Sequence, residues 1–195
     1  MEKRKLSPLM ICHLGVMALL VVVCLVHLVM FLSGNLTPTI AQYYEERSVS
    51  INLYMINFVF YILSLVFGML YLVKGYTKQA AVYYKVFLTM NAIPHFIEAY
   101  SSTIYPGFSI GTVVRIVQGI LLLVLAFGKD LGRTNSWILF CVLLVCEVLY
   151  SQFIIGPRGH FMVTMALTLI NLMLLGTVGV AIKGKYDDKD ARGTY

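Results

Sequence analysis

Hydrophobic positions gather into six long runs, separated by short stretches rich in glycine, proline and charge. The runs cover about 8–32, 51–73, 79–101, 109–127, 136–155 and 161–182. A membrane-spanning helix needs about 20 predominantly apolar residues, and each run meets or approaches that length. The second, fourth and sixth runs close at Lys74-Gly75, Gly128-Lys129 and Lys183-Gly184. Glycine beside lysine ends a helix and anchors it at the membrane surface. The pattern predicts an all-α polytopic membrane protein with six transmembrane helices in three hairpins. A basic N-terminus (1–7) and a polar tail (184–195), expected to be disordered, flank a six-helix domain (8–183).

The third run is the least apolar, and hydropathy alone suits an interfacial helix there. Parity argues for a crossing. If that run stayed at the surface, the clusters around Lys74 and Lys129 would share a side only if the fourth run also failed to cross.

Charge then sets the orientation. Of 15 lysines and arginines, 12 lie at or near ends that share one side, leaving only Arg47, Arg115 and Arg158 elsewhere. That is the positive-inside bias, so both termini are expected in the cytoplasm. The same distribution removes nucleic acid as the reason for a net charge of +6, because no basic face forms. With 59% hydrophobic and 12% charged residues, against about 25% charged in a soluble domain, no soluble domain is expected. A plasma membrane or bacterial inner membrane is the expected location. The first run is too long for a signal-peptide core and lacks a small-residue cleavage site, so it reads as a retained helix. Lys74, Lys129 and Lys183 stand 55 and 54 residues apart. Three tight hairpins of similar length produce that period without an internal repeat.

Candidate chemistry is sparse. Cys12, Cys24, Cys141 and Cys146 all lie within apolar runs, with no CxxC pair, so neither a disulfide framework nor a zinc site is indicated. Asn35-Leu36-Thr37 matches the glycosylation sequon, but Pro38 follows it and a three-residue match is weak.

The polar residues inside the runs are more informative. Charged side chains in hydrocarbon cost roughly 2.5–3.5 kcal/mol each on insertion scales and normally face the bundle interior. Helical spacing puts Tyr84, Leu88, Asn91, His95 and Glu98 on one face of the third run, and Tyr54, Asn57, Tyr61, Ser64 and Gly68 on one face of the second. The corresponding stripes are His13, Met17, Leu20, Cys24 and His27 in the first run and Arg115 with Gln118 in the fourth. Glu147, Tyr150 and Ser151 mark the fifth run, and Thr164, Thr168 and Asn171 the sixth. Counted from the outer end of each run, most of His27, Asn57, His95, Glu98, Arg115 and Glu147 fall roughly 9–12 Å deep at 1.5 Å per residue. These six are the candidate polar pocket, in the outer half of the bundle. Pro94, one residue before His95, is expected to kink its helix and free the Met90 carbonyl.

Three functions fit this arrangement. The first is a small transporter or solute-binding membrane subunit, with an outward pocket for a small polar or cationic solute. In it Glu98 and Glu147 supply negative charge or carry protons, His27 and His95 titrate near neutral pH, and Arg115 pairs a carboxylate or holds an anionic group. The second is a structural or assembly protein for other membrane subunits, with the polar residues bonded only to one another. The third is an intramembrane enzyme using His95 with Glu98 or Glu147 as acid and base. No nucleophile motif, phosphate loop or HExxH is present, so an enzyme is the least favoured. A metal held by His27, His95, Glu98 and Glu147 is disfavoured by Arg115 at the same depth. No cofactor is expected.

Overall fold

The computed structural model describes residues 7–35, 51–74, 78–104, 107–128, 131–151 and 161–192. The described chain is all-helical: α1 (Pro8–Leu32), α2 (Ile51–Lys74), α3 (Lys78–Ile104), α4 (Ile110–Phe127), α5 (Arg133–Leu149) and α6 (Phe161–Arg192). Among the described residues, three helical stretches are long and apolar enough to cross a membrane: Pro8–Leu32, Met55–Lys74 and Ile110–Phe127. Leu167–Lys183 is a shorter apolar stretch of α6. The loop around Glu45–Arg47, the turn at Gly156–His160 and the basic N-terminus lie outside the described residues.

Helix α6 runs to Arg192, ten residues beyond the end that hydropathy suggests. Its polar end differs from the expected disordered tail. The reason is that hydropathy reads apolarity, while helix continuation depends on backbone propensity. The segment Lys183–Arg192 contains no proline, and Gly184 is its only strong breaker.

Each helix packs against its neighbour in sequence, and α6 also touches α1, α2 and α3. The interior is apolar over most of its length, with Met17, Leu20 and Cys24 of α1, Leu65 and Leu72 of α2, and Leu174, Val178 and Ile182 of α6 all buried. The outer faces are just as apolar. Leu19, Val22, Val26 and Val29 on α1 and Ile138, Val142, Val145 and Val148 on α5 are exposed. A continuous apolar exterior of this kind suits hydrocarbon rather than water.

Two groups of contacts fix the register. In one, Tyr71 near the end of α2 meets Tyr84 near the start of α3, ring centroids 5.4 Å apart. The Tyr71 hydroxyl also reaches the Ala181 carbonyl of α6 at 3.5 Å, and one turn earlier on α6 Thr177 meets His13, near the start of α1, at 3.0 Å. The other group joins α3 to α4. Gly107 at φ +116° makes the turn between them, a conformation that side-chain-bearing residues rarely adopt. Ser102 at the end of α3 hydrogen-bonds Thr112 of α4 at 2.7 Å, and the Ser109 backbone N–H donates to the Thr112 hydroxyl at 3.2 Å. Gly119 lets the two helices close, because a Cβ there would stand 2.6 Å from the Phe96 ring. This tight pairing sets His95 and Glu98 opposite Arg115.

Candidate functional site

Arg115 is the centre of the site. It rises from the first half of α4 and is only 2% exposed, so its charge must be met within the protein. Its Nη1 donates to Glu147 Oε2 on α5 at 2.8 Å and to Gln118 Oε1, one turn along its own helix, at 2.8 Å. The same nitrogen lies 3.1 Å from His95 Nδ1 on α3. Arginine only donates, and the two hydrogens of Nη1 already point to Glu147 and Gln118, so His95 Nδ1 is a third, shared neighbour of that nitrogen. On its other edge, Arg115 Nε stands 2.6 Å from Glu98 Oε2. That contact is a charge pairing whose geometry falls short of a hydrogen bond, since both atoms lack a hydrogen-bond partner. The guanidinium lies over the Tyr150 ring, 3.5 Å from its centroid, a cation–π contact.

The carboxylates draw in the remaining helices. Glu98 Oε1 accepts from the Tyr61 hydroxyl at 2.8 Å and, at the longer distance of 3.4 Å, from Asn57 Nδ2, both on α2. Glu147 Oε1 accepts from Asn171 Nδ2 of α6 at 3.1 Å, and Glu147 Oε2 accepts a second bond, from Gln118 Nε2, at 2.9 Å. Five helices therefore meet through one network. The Oδ1 atoms of Asn57, Asn91 and Asn171 are buried without a hydrogen-bond partner, so three acceptors in the polar stripes remain unused.

Local helix geometry explains these placements. Asn57 and Tyr61 lie four apart, His95 and Glu98 three apart, and Arg115 and Gln118 three apart, so each pair shares one face of its helix. After Glu147, α5 ends in a π-type turn at Tyr150–Ser151, with the Tyr150 N–H shared between the Cys146 and Glu147 carbonyls. Such widened turns recur at functional sites, and this one adjoins the ring under Arg115. Pro94 is buried within α3, which stays helical on both sides of it.

Of the six candidate residues, the structure brings together Asn57, His95, Glu98, Arg115 and Glu147. His27 is elsewhere. It is half-buried, and its ring meets the Phe58 ring of α2, with centroids 4.6 Å apart. The bonds that hold Arg115 do not include it. Depth and the α1 stripe together suggested His27, but its ring lies against Phe58 at the α1–α2 seam. Tyr61, Gln118, Tyr150 and Asn171 join the network although they are outside those six. Each lies on a polar stripe of its helix, and that periodicity was the available signal. Among the described residues no three of His, Cys, Asp and Glu gather as metal ligands. Comparison of the chain with known family models, characterised proteins and solved structures finds no match.

Proposed function

We propose that the chain is a six-span membrane protein, a small transporter or solute-binding subunit whose site is the Arg115 network. The helices form three hairpins with both termini in the cytoplasm. Alternation supports the hairpins: the network joins the early parts of α2 and α4 to the late parts of α3 and α5. A second group of contacts joins early α1 and α3 to late α2 and to the second half of α6. The lysine distribution supports the orientation and puts the network in the outer half.

One observation carries the transport reading. The network sets two carboxyl groups against one guanidinium, so with both carboxyls ionised it holds one more acidic group than Arg115 can balance. An uncompensated buried charge costs several kcal/mol, and an assembly that served only to hold helices together gains nothing from it. A site that loads and releases a positive species requires that imbalance. Thermal denaturation in detergent with a panel of small cations and neutral polar solutes, at matched ionic strength, tests the reading. One class raises the midpoint in the wild type by mass action and leaves Glu98→Gln unmoved. A flat panel for a folded wild-type protein counts against a solute site.

The structural reading also has an observation in its favour, because every oxygen of Glu98 and Glu147 has a contact on the chain. It predicts that charge-removing variants lose stability alone, with no change in any solute response.

A further inference from the structure

We propose that Glu98 is a proton-binding site, carrying the one exchangeable proton that neutralises the network, while Glu147 remains the permanent anionic partner of Arg115. This deepens the transport reading and rests on it, since it names the species that is loaded.

Three observations separate the two carboxyls. The first is alignment. Glu147 Oε2 receives a formed hydrogen bond from Arg115 Nη1 and a second from Gln118 Nε2. The Gln118 amide is fixed in that sense, because its Oε1 already accepts from Arg115. Glu98 has only the unaligned charge contact with Arg115 Nε. A proton placed on Glu147 discards the better guanidinium partner, whereas one placed on Glu98 keeps it.

The second is the chemistry of the neighbours. A protonated carboxyl must donate, so it needs an acceptor. Both groups at Glu98 Oε1 can reverse role. The Tyr61 hydroxyl donates to a carboxylate and accepts from an acid. The Asn57 amide presents Nδ2 at 3.4 Å and keeps a buried, unpartnered Oδ1, which a flip of the amide brings to the acid. Asn171 offers Glu147 Oε1 a similar amide with an equally unpartnered Oδ1, so the Tyr61 hydroxyl is what separates the two carboxyls: among the described bonds only Glu98 has a hydroxyl partner.

The third is access. The Glu98 side chain is 10% exposed against 3% for Glu147, and a proton must reach it from water. Loading forms one O–H bond on Glu98 with a proton from solvent, and release returns that proton. No other bond is made or broken. The ionisable groups around Glu98 are Tyr61 from α2, His95 from its own helix, Arg115 from α4, and Glu147 with Tyr150 from α5. From α6, Asn171 reaches Glu147. Arg115 is the one fixed cation among them, and a proton on His95 Nδ1, 3.1 Å from Arg115 Nη1, would face the guanidinium.

Infrared difference spectra of the full-length protein in lipid, between acidic and alkaline buffer, read the proton directly. The expected result is a carboxylic-acid C=O band of a poorly hydrated group, present in the wild type and in Glu147→Gln and lost in Glu98→Gln. Tyr61→Phe keeps the acid and removes one of its hydrogen bonds, so the band shifts to higher wavenumber. That arm decides the matter if Glu98→Gln does not fold. A band that survives Glu98→Gln, one unmoved by Tyr61→Phe, or a wild type without such a band overturns the proposal. The spectra involve no solute, so solute-induced stabilisation without the band refutes the proton site and leaves the transport reading standing. The band without any solute response does the reverse.

Discussion

Replacing Arg115 by methionine removes the network's only cation while keeping much of its volume. The side chain is 2% exposed and meets Glu98 at 2.6 Å and Glu147 at 2.8 Å. Breaking a buried pair from one side costs about 3–5 kcal/mol, mostly because the partner charge is left without compensation. For a chain of this length, about 2–4 °C per kcal/mol puts the fall in melting midpoint at roughly 6–20 °C. Glu147→Gln alone is also destabilising, because the guanidinium loses its aligned acceptor. The double variant Arg115→Met with Glu147→Gln removes both charges, so its loss is smaller than the sum of the two single losses by about 1–3 kcal/mol. Detergent-solubilised protein followed by tryptophan fluorescence or differential scanning supplies all four midpoints. Trp137 packs edge-on against Phe140 on α5, with centroids 5.5 Å apart, and reports on the helix that carries Glu147. Additive losses within about 0.5 kcal/mol, or an Arg115→Met midpoint equal to wild type, refute the pairing.

Other expectations follow from single contacts. Gly119→Ala puts a methyl into the Phe96 ring and lowers stability by about 1–3 kcal/mol, as overpacking does; adding Phe96→Ala recovers part of that loss, and full additivity argues against the contact. His13 Nε2 and the Thr177 hydroxyl are 3.0 Å apart in a part-buried hydrogen bond between α1 and α6. His13→Ala therefore costs about 1 kcal/mol, while His13→Gln, which can donate or accept, costs less. For the topology, in a cysteine-free background, a cysteine near Glu46 reacts with an impermeant thiol reagent in intact cells and one near Lys129 does not. The opposite pattern reverses the orientation.

Much of this arrangement is legible in the sequence, for reasons particular residues make plain. Apolar runs closed by lysine and glycine mark the helices, because solvent and backbone requirements act locally. The stripe Leu88, Asn91 and His95 is buried in α3, as its spacing requires. Partner choice is less legible, because it depends on the rotation and tilt of one helix against another. His27 shares the depth of Arg115 but faces Phe58. Gln118 and Asn171 have no charge to attract notice, and yet they hold Glu147. The end of α6 escapes for a different reason, since hydropathy has no purchase on a polar helical turn.

If the Arg115 network loads a positive species through Glu98, the protein moves protons across a bilayer. Proton flux is measured into liposomes containing the purified protein and an internal pH-sensitive dye, under an imposed pH gradient with and without the solute panel. The expected result is protein-dependent flux that a solute of the stabilising class changes and that Glu98→Gln abolishes while the protein stays folded. Flux in Glu98→Gln equal to wild type, or a folded wild type that moves neither protons nor solute, contradicts it.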